Sequence, residues 1–151
     1  MKLAEALGIR ADLQKRVAQL KDRLKNNTKV QEGDVPVEEP AELWIELDNS
    51  LTQLENLIYR INVTNMHTVH NGQTLTKLIA AKDVLTMRTS MMREVLNHTS
   101  EREERYGRQE IKYIRTIDVA ELRRKVDTYS RQLRELDLQI QSLNWATELE
   151  E

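Results

Sequence analysis

Arg10 and Lys82 each interrupt a helical pattern that is otherwise apolar, and their positions suggest a chemical role more than any others in the chain. If helices one and three of an antiparallel bundle run the same way, both cations lie in one layer, with Asp83 and Asp137 close enough to neutralise them. Such a polar layer could fix helix register or bind an anion. Both side chains are also long enough to extend from the end of a bundle into solvent, and this simpler interpretation is the favoured one.

The histidines match the spacing of metal ligands only in part. His67 and His70 are three residues apart, which on a helix would place both imidazoles on one face, but they fall in a predicted loop. His98 follows Glu94 by four residues, whereas the Glu-x-x-His pattern of di-iron bundles needs three. The chain also has no glycine-rich phosphate loop, nucleophile elbow or cysteine. The sequence therefore predicts no metal, no cofactor, no catalytic residue and no enzymatic activity.

Arginines and tyrosines are interleaved between the third and fourth predicted helices, in a pattern that could stack on and neutralise single-stranded nucleic acid. This candidate interaction loop comprises Arg102, Arg105, Tyr106, Arg108 and Tyr113. The segment 101–125 has eight basic and six acidic residues, a surplus of two, and the whole chain has a formal charge of -2. Pairing of these arginines with neighbouring glutamates is therefore favoured, and a nucleic-acid-binding module using 102–125 is kept as the alternative.

Helices must position these side chains, because apolar residues recur at helical spacing over most of the chain. In the stretch LRRKVDTYSRQLRELDLQIQSL the apolar positions alternate in steps of four and three, as in a heptad repeat. Those positions are Leu122, Val126, Tyr129, Leu133, Leu136, Ile140 and Leu143. The chain has no Phe, four Gly and two Pro, a composition that favours helices over sheets.

These patterns predict a mainly α fold, with four long helices in an elongated bundle or in helical hairpins. The predicted helices cover about 2–27, 41–65, 74–99 and 118–147. The linker 28–40 contains both prolines and is long enough for either direction of helix two, although an antiparallel return is favoured. Alternating β-branched and aromatic residues predict a short β segment near 110–116, within the loop 100–117. All of these elements are assigned to a single domain, 1–151.

Several apolar residues outside the predicted seams lead to a prediction of self-association. The predicted seam of the second helix is Trp44, Leu47, Leu51, Leu54, Ile58 and Ile61. Further apolar residues lie off the predicted seams, namely Leu7, Leu43, Leu57, Ile79, Met91 and Leu138. Because a narrow bundle would leave this second set exposed, the sequence predicts a homo-oligomer and allows an unidentified protein partner. It thus favours a non-enzymatic structural or protein-interaction protein.

Three features of the sequence indicate the compartment. The N-terminal stretch MKLAEALGIRADLQKR carries charges where a signal peptide needs an apolar run. No segment has the roughly 18 consecutive apolar residues that a membrane-spanning helix requires. The chain has no cysteine, as is common in a reducing compartment. The sequence therefore predicts a cytoplasmic protein that does not enter a membrane.

Several stretches also resemble a known group of proteins. They are MKLAEAL, RADLQKR, KVQEGD, the pair Lys82 and Asp83, EIKYIRTIDVAEL and LNWATEL. Together they resemble small uncharacterised bacterial helical proteins labelled septicolysin-like, and the likeness extends over nearly the whole chain. The resemblance implies a small helical bacterial fold. Its label implies a membrane-active protein, which is kept as an alternative, although the chain has no strongly basic amphipathic helix.

Overall fold

The structure is a computed structural model, and it describes residues 1–101 and 111–151. In these ranges the chain forms four α-helices and one short two-stranded antiparallel sheet, which confirms the mainly α fold class. The helices are α1 (Leu3–Asn27), α2 (Pro40–His67), α3 (Leu75–Ser100) and α4 (Val119–Ala146). Their ends differ from the predicted ends by two residues at most.

The chain divides into two compact units. Unit 1 comprises Met1–Thr76 and Gln141–Glu151, and it contains α1, α2, the sheet and the end of α4. Unit 2 comprises Lys77–Ile140, which is most of α3 and of α4. The assignment of residues 1–151 to a single domain stays a prediction, because a domain can contain two compact units.

In unit 1, α1 and α2 pack antiparallel, which answers a question that the linker length left open. Arg16 Nη2 lies 2.8 Å from Glu46 Oε1, and Arg23 forms a second ion pair with Glu38, nearer to the linker. Asn27, the last residue of α1, accepts a hydrogen bond from the backbone N–H of Glu38 at 3.0 Å. The apolar core between the two helices consists of Leu20, Leu24, Leu43 and Leu47, with Val17 packed against it.

The buried face of α2 differs from the predicted seam. Trp44 and Leu51 were both assigned to that seam, yet they are 53% and 43% exposed. The buried positions are instead Leu43, Leu47, Ser50, Leu57, Ile61 and Thr64. Apolar residues occupy neighbouring positions on α2, so two seams fit the spacing, and the buried one includes two hydroxyl residues that donate to carbonyls four residues earlier. Leu43 and Leu57, predicted to lie off the seams, are therefore core residues.

The sheet is a β-hairpin between α2 and α3. β1 (Val69–His70) pairs with β2 (Gln73–Thr74), with Val69 opposite Thr74. At the turn, Asn71 and Gly72 have φ values of +50° and +78°. Positive φ at both central residues is the signature of a type I′ turn, for which Asn-Gly is a preferred pair.

The prediction of a β segment near 110–116 is wrong for the part that the structure describes. Residues 111–117 form no strand, and residue 110 lies outside the described ranges. A strand needs a hydrogen-bonded neighbour, and the Asn71-Gly72 turn supplies one for β1 directly. Within the described ranges the segment 111–117 has no such neighbour, so its β propensity alone does not make a strand.

In unit 2, α3 and α4 run antiparallel. Arg93 on α3 donates to the Ser130 hydroxyl on α4 at 2.8 Å. Nearer the start of α3, Lys82 donates to Asp137 on α4. The heptad positions of α4 are all buried or half-buried, which confirms that seam. At the start of α4, Asp118 Oδ1 accepts from the backbone N–H of Glu121 at 3.1 Å and so caps the helix.

Candidate functional site: polar seam positions and exposed helix faces

Two members of the candidate polar layer meet in unit 2. Lys82 Nζ donates to Asp137 Oδ1 over 2.5 Å, and the two side chains are 33% and 42% exposed. The cation that interrupts the α3 seam is therefore neutralised by the facing helix. Partial exposure screens the pair, so its contribution to the free energy of unfolding is modest. Asp83, the next residue along, is exposed on another side of α3.

Arg10 lies in unit 1, in the half-buried part of the α1 seam. Its Nε is buried and forms no hydrogen bond with any part of the chain that the structure describes. Asn144 is 5% exposed, and its buried Oδ1 likewise accepts no hydrogen bond from the described residues. Unit 1 therefore contains an unsatisfied donor and an unsatisfied acceptor, while a single layer formed by Arg10, Lys82, Asp83 and Asp137 stays a prediction.

The candidate interaction loop lies mostly outside the described residues. Arg102, Arg105, Tyr106 and Arg108 belong to the undescribed range, and only Tyr113 can be placed. Tyr113 is 83% exposed, and Ile111 beside it is 91% exposed. Arg115 donates through Nε to the backbone carbonyl of Thr99 at 3.0 Å, which attaches this segment to the end of α3. Nucleic-acid binding by the segment 102–125 stays a prediction.

The histidines lie at separate places in the fold. His67 ends α2, and its Nδ1 is 2.8 Å from Glu150 Oε2. His70 belongs to β1, and His98 lies in the last turn of α3. Across residues 1–101 and 111–151, no group of three or more His, Asp or Glu side chains could hold a metal ion.

The C-terminal segment, 147–151, binds to the start of α1. The Leu3 N–H donates to the Thr147 carbonyl at 2.9 Å, and the Leu149 N–H donates to the Met1 carbonyl at 2.8 Å. Lys2 and the N-terminal ammonium both contact the Glu148 carboxylate, and these hydrogen bonds hold the pKa of Glu148 below its ordinary value.

The same segment also binds to the end of α2. Arg60 Nε donates to the Glu150 carbonyl at 2.8 Å, and the Glu150 N–H donates to Thr64 Oγ1 at 3.0 Å. Thr64 is fully buried, so its hydroxyl both receives this bond and donates to the Arg60 carbonyl without competition from water. Sequence reasoning missed this attachment. The one feature of the sequence that relates to this attachment is that Thr64 falls at heptad spacing with the buried residues of α2.

α3 presents a second apolar face to solvent. Its members, called here the outer α3 stripe, are Val84, Met87, Met91 and Val95, with exposures of 56%, 62%, 63% and 51%. At about 100° per residue these positions point roughly 150° away from the seam that carries Leu78 and Thr89. The prediction of surplus apolar residues named only Met91 from this stripe. Val84, Met87 and Val95 were missed because the sequence pattern was assigned only one apolar seam per helix.

α2 also exposes large apolar residues, but they do not form a continuous face. Ile45, Tyr59 and Met66 are 63%, 66% and 56% exposed. Asp48 and Glu55 lie between them on the same side of the helix. This face is therefore mixed, and the outer α3 stripe is the longer uninterrupted apolar surface.

In the described ranges the helices of each unit pack antiparallel, and α3 leaves an apolar stripe on the surface. The chain belongs to a family of unknown function, DUF6847, whose family model matches residues 10–149. It is similar to a solved structure described as a functionally unknown conserved protein from Corynebacterium diphtheriae, with 40% identity, a TM-score of 0.93 and 99% of each chain covered. No curated protein matches the chain.

The septicolysin-like resemblance stays a prediction, because neither match carries that label. In the described ranges, none of the helices is both long enough and apolar enough to cross a membrane.

Proposed function

We propose that the protein is a non-enzymatic structural or protein-interaction protein that self-associates through its helices. The observation that carries this proposal is the outer α3 stripe, whose large apolar side chains are each more than half exposed. A continuous apolar row on a helix is a costly feature in water, and such rows mark surfaces that another protein covers. The opposite face of α3 already packs in unit 2, so the stripe is not needed for the core of the monomer.

The polar contacts of the described residues support the same assignment. The ion pairs Arg16–Glu46 and Lys82–Asp137 join one helix to another, and each neutralises its partner. Charged groups that pair in this way can hold helices in register, which is a structural role. The absence of cysteine supports, within the same proposal, a cytoplasmic setting.

The test is the molar mass of the wild-type protein over a concentration series, measured by size-exclusion chromatography with multi-angle light scattering. The expected result is a mass above that of one chain that rises with concentration. A mass equal to one chain at every concentration would contradict the proposal. Two further arms address the alternatives: a salt-sensitive complex with single-stranded RNA would favour nucleic-acid binding, and dye release from lipid vesicles would favour a membrane-active protein.

A further inference from the structure

The outer α3 stripe has the spacing of a second heptad seam. Val84, Met87 and Met91 follow one another in steps of three and four, which places them at the a, d and a positions of a coiled coil. Ala80 precedes them at a d position and is also exposed. Glu94 and His98 occupy the next positions, so the apolar part of the seam ends there.

The two edges of the stripe carry opposite charges. Asp83 precedes Val84 at a g position, and Arg88 follows Met87 at an e position. Both side chains are exposed, and neither forms an ion pair in the part of the chain that the structure describes. The guanidinium carbon of Arg88 lies 5.3 Å from the ring centroid of Tyr129. Stacking uses the flat face of the guanidinium, so its N–H edge remains free to bind a carboxylate.

This pattern of charges distinguishes between the two orientations of a helix pair. In a parallel pair, a g residue faces the e residue five positions further along the partner, which brings Asp83 to Arg88 of the second copy, twice per dimer. In an antiparallel pair the e edges face each other, which brings Arg88 against Arg88. From Ala80 to Met91 the charged edges of the stripe are therefore complementary to themselves in the parallel orientation and repulsive in the other.

We propose that the outer α3 stripe docks in parallel and in register against the same stripe of a second copy of this chain. The apolar a and d positions from Ala80 to Met91 span roughly 17 Å at 1.5 Å per residue. Such a short seam gives a weak dimer that depends on salt, because its two ion pairs lie at the solvent edge. This inference rests on the proposed function, since it names the surface and geometry of the self-association.

Disulfide trapping tests the geometry directly, because the chain has no cysteine of its own. In the parallel dimer, Val84→Cys faces its own copy, at a Cα separation near the roughly 5.5–6 Å that a disulfide prefers. Mild oxidation should therefore crosslink Val84→Cys with itself. Leu138→Cys on α4 is the matched control, since Leu138 is 69% exposed but lies outside the stripe, and it should not crosslink. A crosslink that forms only when Val84→Cys is mixed with Met91→Cys would show an antiparallel pair and overturn the inference.

Charge reversal tests the ion pairs. Asp83→Arg alone should weaken the dimer about five-fold, since both pairs are lost, and the double variant Asp83→Arg/Arg88→Asp should recover most of that affinity. Met87→Glu should abolish the dimer while leaving the circular dichroism spectrum unchanged, because Met87 is already 62% exposed.

The outcomes separate the two proposals. A wild-type monomer at all concentrations would overturn both. An oligomer that survives Met87→Glu and shows no Val84→Cys crosslink would overturn this inference and leave self-association through another surface standing.

Discussion

Two buried threonines provide a matched test of how the C-terminal segment is held in place. Thr64 in α2 and Thr89 in α3 are 0% and 1% exposed, and each hydroxyl donates to the carbonyl four residues earlier at 2.8 Å. Thr64 differs in one respect, because its Oγ1 also accepts the Glu150 N–H at 3.0 Å. Any difference between the two positions on removal of the hydroxyl therefore reports mainly on that bond.

Valine removes the hydroxyl at nearly constant volume. Thr64→Val leaves the Glu150 N–H without its acceptor, and an unsatisfied buried donor costs about 1–3 kcal/mol. Glu150 is only half-buried, so water can reach its amide and the loss should fall near the lower end, at about 1 kcal/mol. Thr89→Val loses only a local bond to its own helix, and its free energy of unfolding should change by no more than about 0.5 kcal/mol.

Urea unfolding followed by circular dichroism measures both changes, and hydrogen exchange at the Glu150 amide localises the first. The expected result is a larger loss for Thr64→Val than for Thr89→Val, together with faster exchange at Glu150 in the first variant only. Equal losses, or an unchanged exchange rate at Glu150, would refute the assignment of this hydrogen bond to the attachment of the C-terminal segment.

Other substitutions test the hairpin turn, the acid dependence and the core. Gly72→Ala places a side chain at φ +78° and should lower the free energy of unfolding by about 1 kcal/mol. Gly8→Ala in α1, where an added Cβ meets no heavy atom within 4 Å, should raise it by about 0.5–1 kcal/mol. Urea titration checks both, and a shift in the same direction for the two variants would contradict the argument. The hydrogen bond from Arg23 holds the pKa of Glu38 below its ordinary value, so this stabilisation is present at neutral pH and is lost as the pH falls below about 4.3 toward the lower folded-state pKa. Glu38→Gln should therefore have a lower melting temperature than wild type at neutral pH, and the difference should become smaller as the pH falls. A difference in melting temperature that does not change with pH would exclude the Arg23–Glu38 ion pair as its cause. Leu20→Ala, at a position 1% exposed in the core of α1 and α2, should cost about 3 kcal/mol in urea unfolding, whereas a loss under about 1 kcal/mol would mean that the site repacks.

The heptad seam of α4 could be predicted from sequence because burial of one helix face demands apolar residues at fixed steps. The seam of α2 could not, because its buried row includes Ser50 and Thr64. These hydroxyls satisfy themselves on the helix backbone, so they tolerate burial although they do not look apolar. The Lys82–Asp137 pair joins residues that sequence reasoning had grouped, since both lie on facing helices of an antiparallel pair.

Backbone hydrogen bonds between distant segments left no such pattern. The contacts from Leu3 to Thr147 and from Leu149 to Met1 join main-chain atoms that every residue carries, so no residue type marks them. The Glu150 amide instead donates to the Thr64 hydroxyl, but a threonine inside a helix does not by itself indicate such a contact. The Asn71-Gly72 pair did carry a signal in the sequence. It was interpreted only as a break between two helices, although the same pair is typical of a β-hairpin turn.

Unit 1 is built from two stretches of chain separated by the whole of unit 2. When α1 and α2 have left the ribosome during synthesis, the C-terminal segment that contacts α2 has not yet been made. The amide that donates to Thr64 belongs to Glu150. The core between α1 and α2 needs no later residue, but the attachment of the C-terminal segment must wait for the end of α4, and closure of that long loop slows this final step. A circular permutant that begins at Asp118 would keep α4 intact and place its end directly before α1, so the attachment would form without that delay.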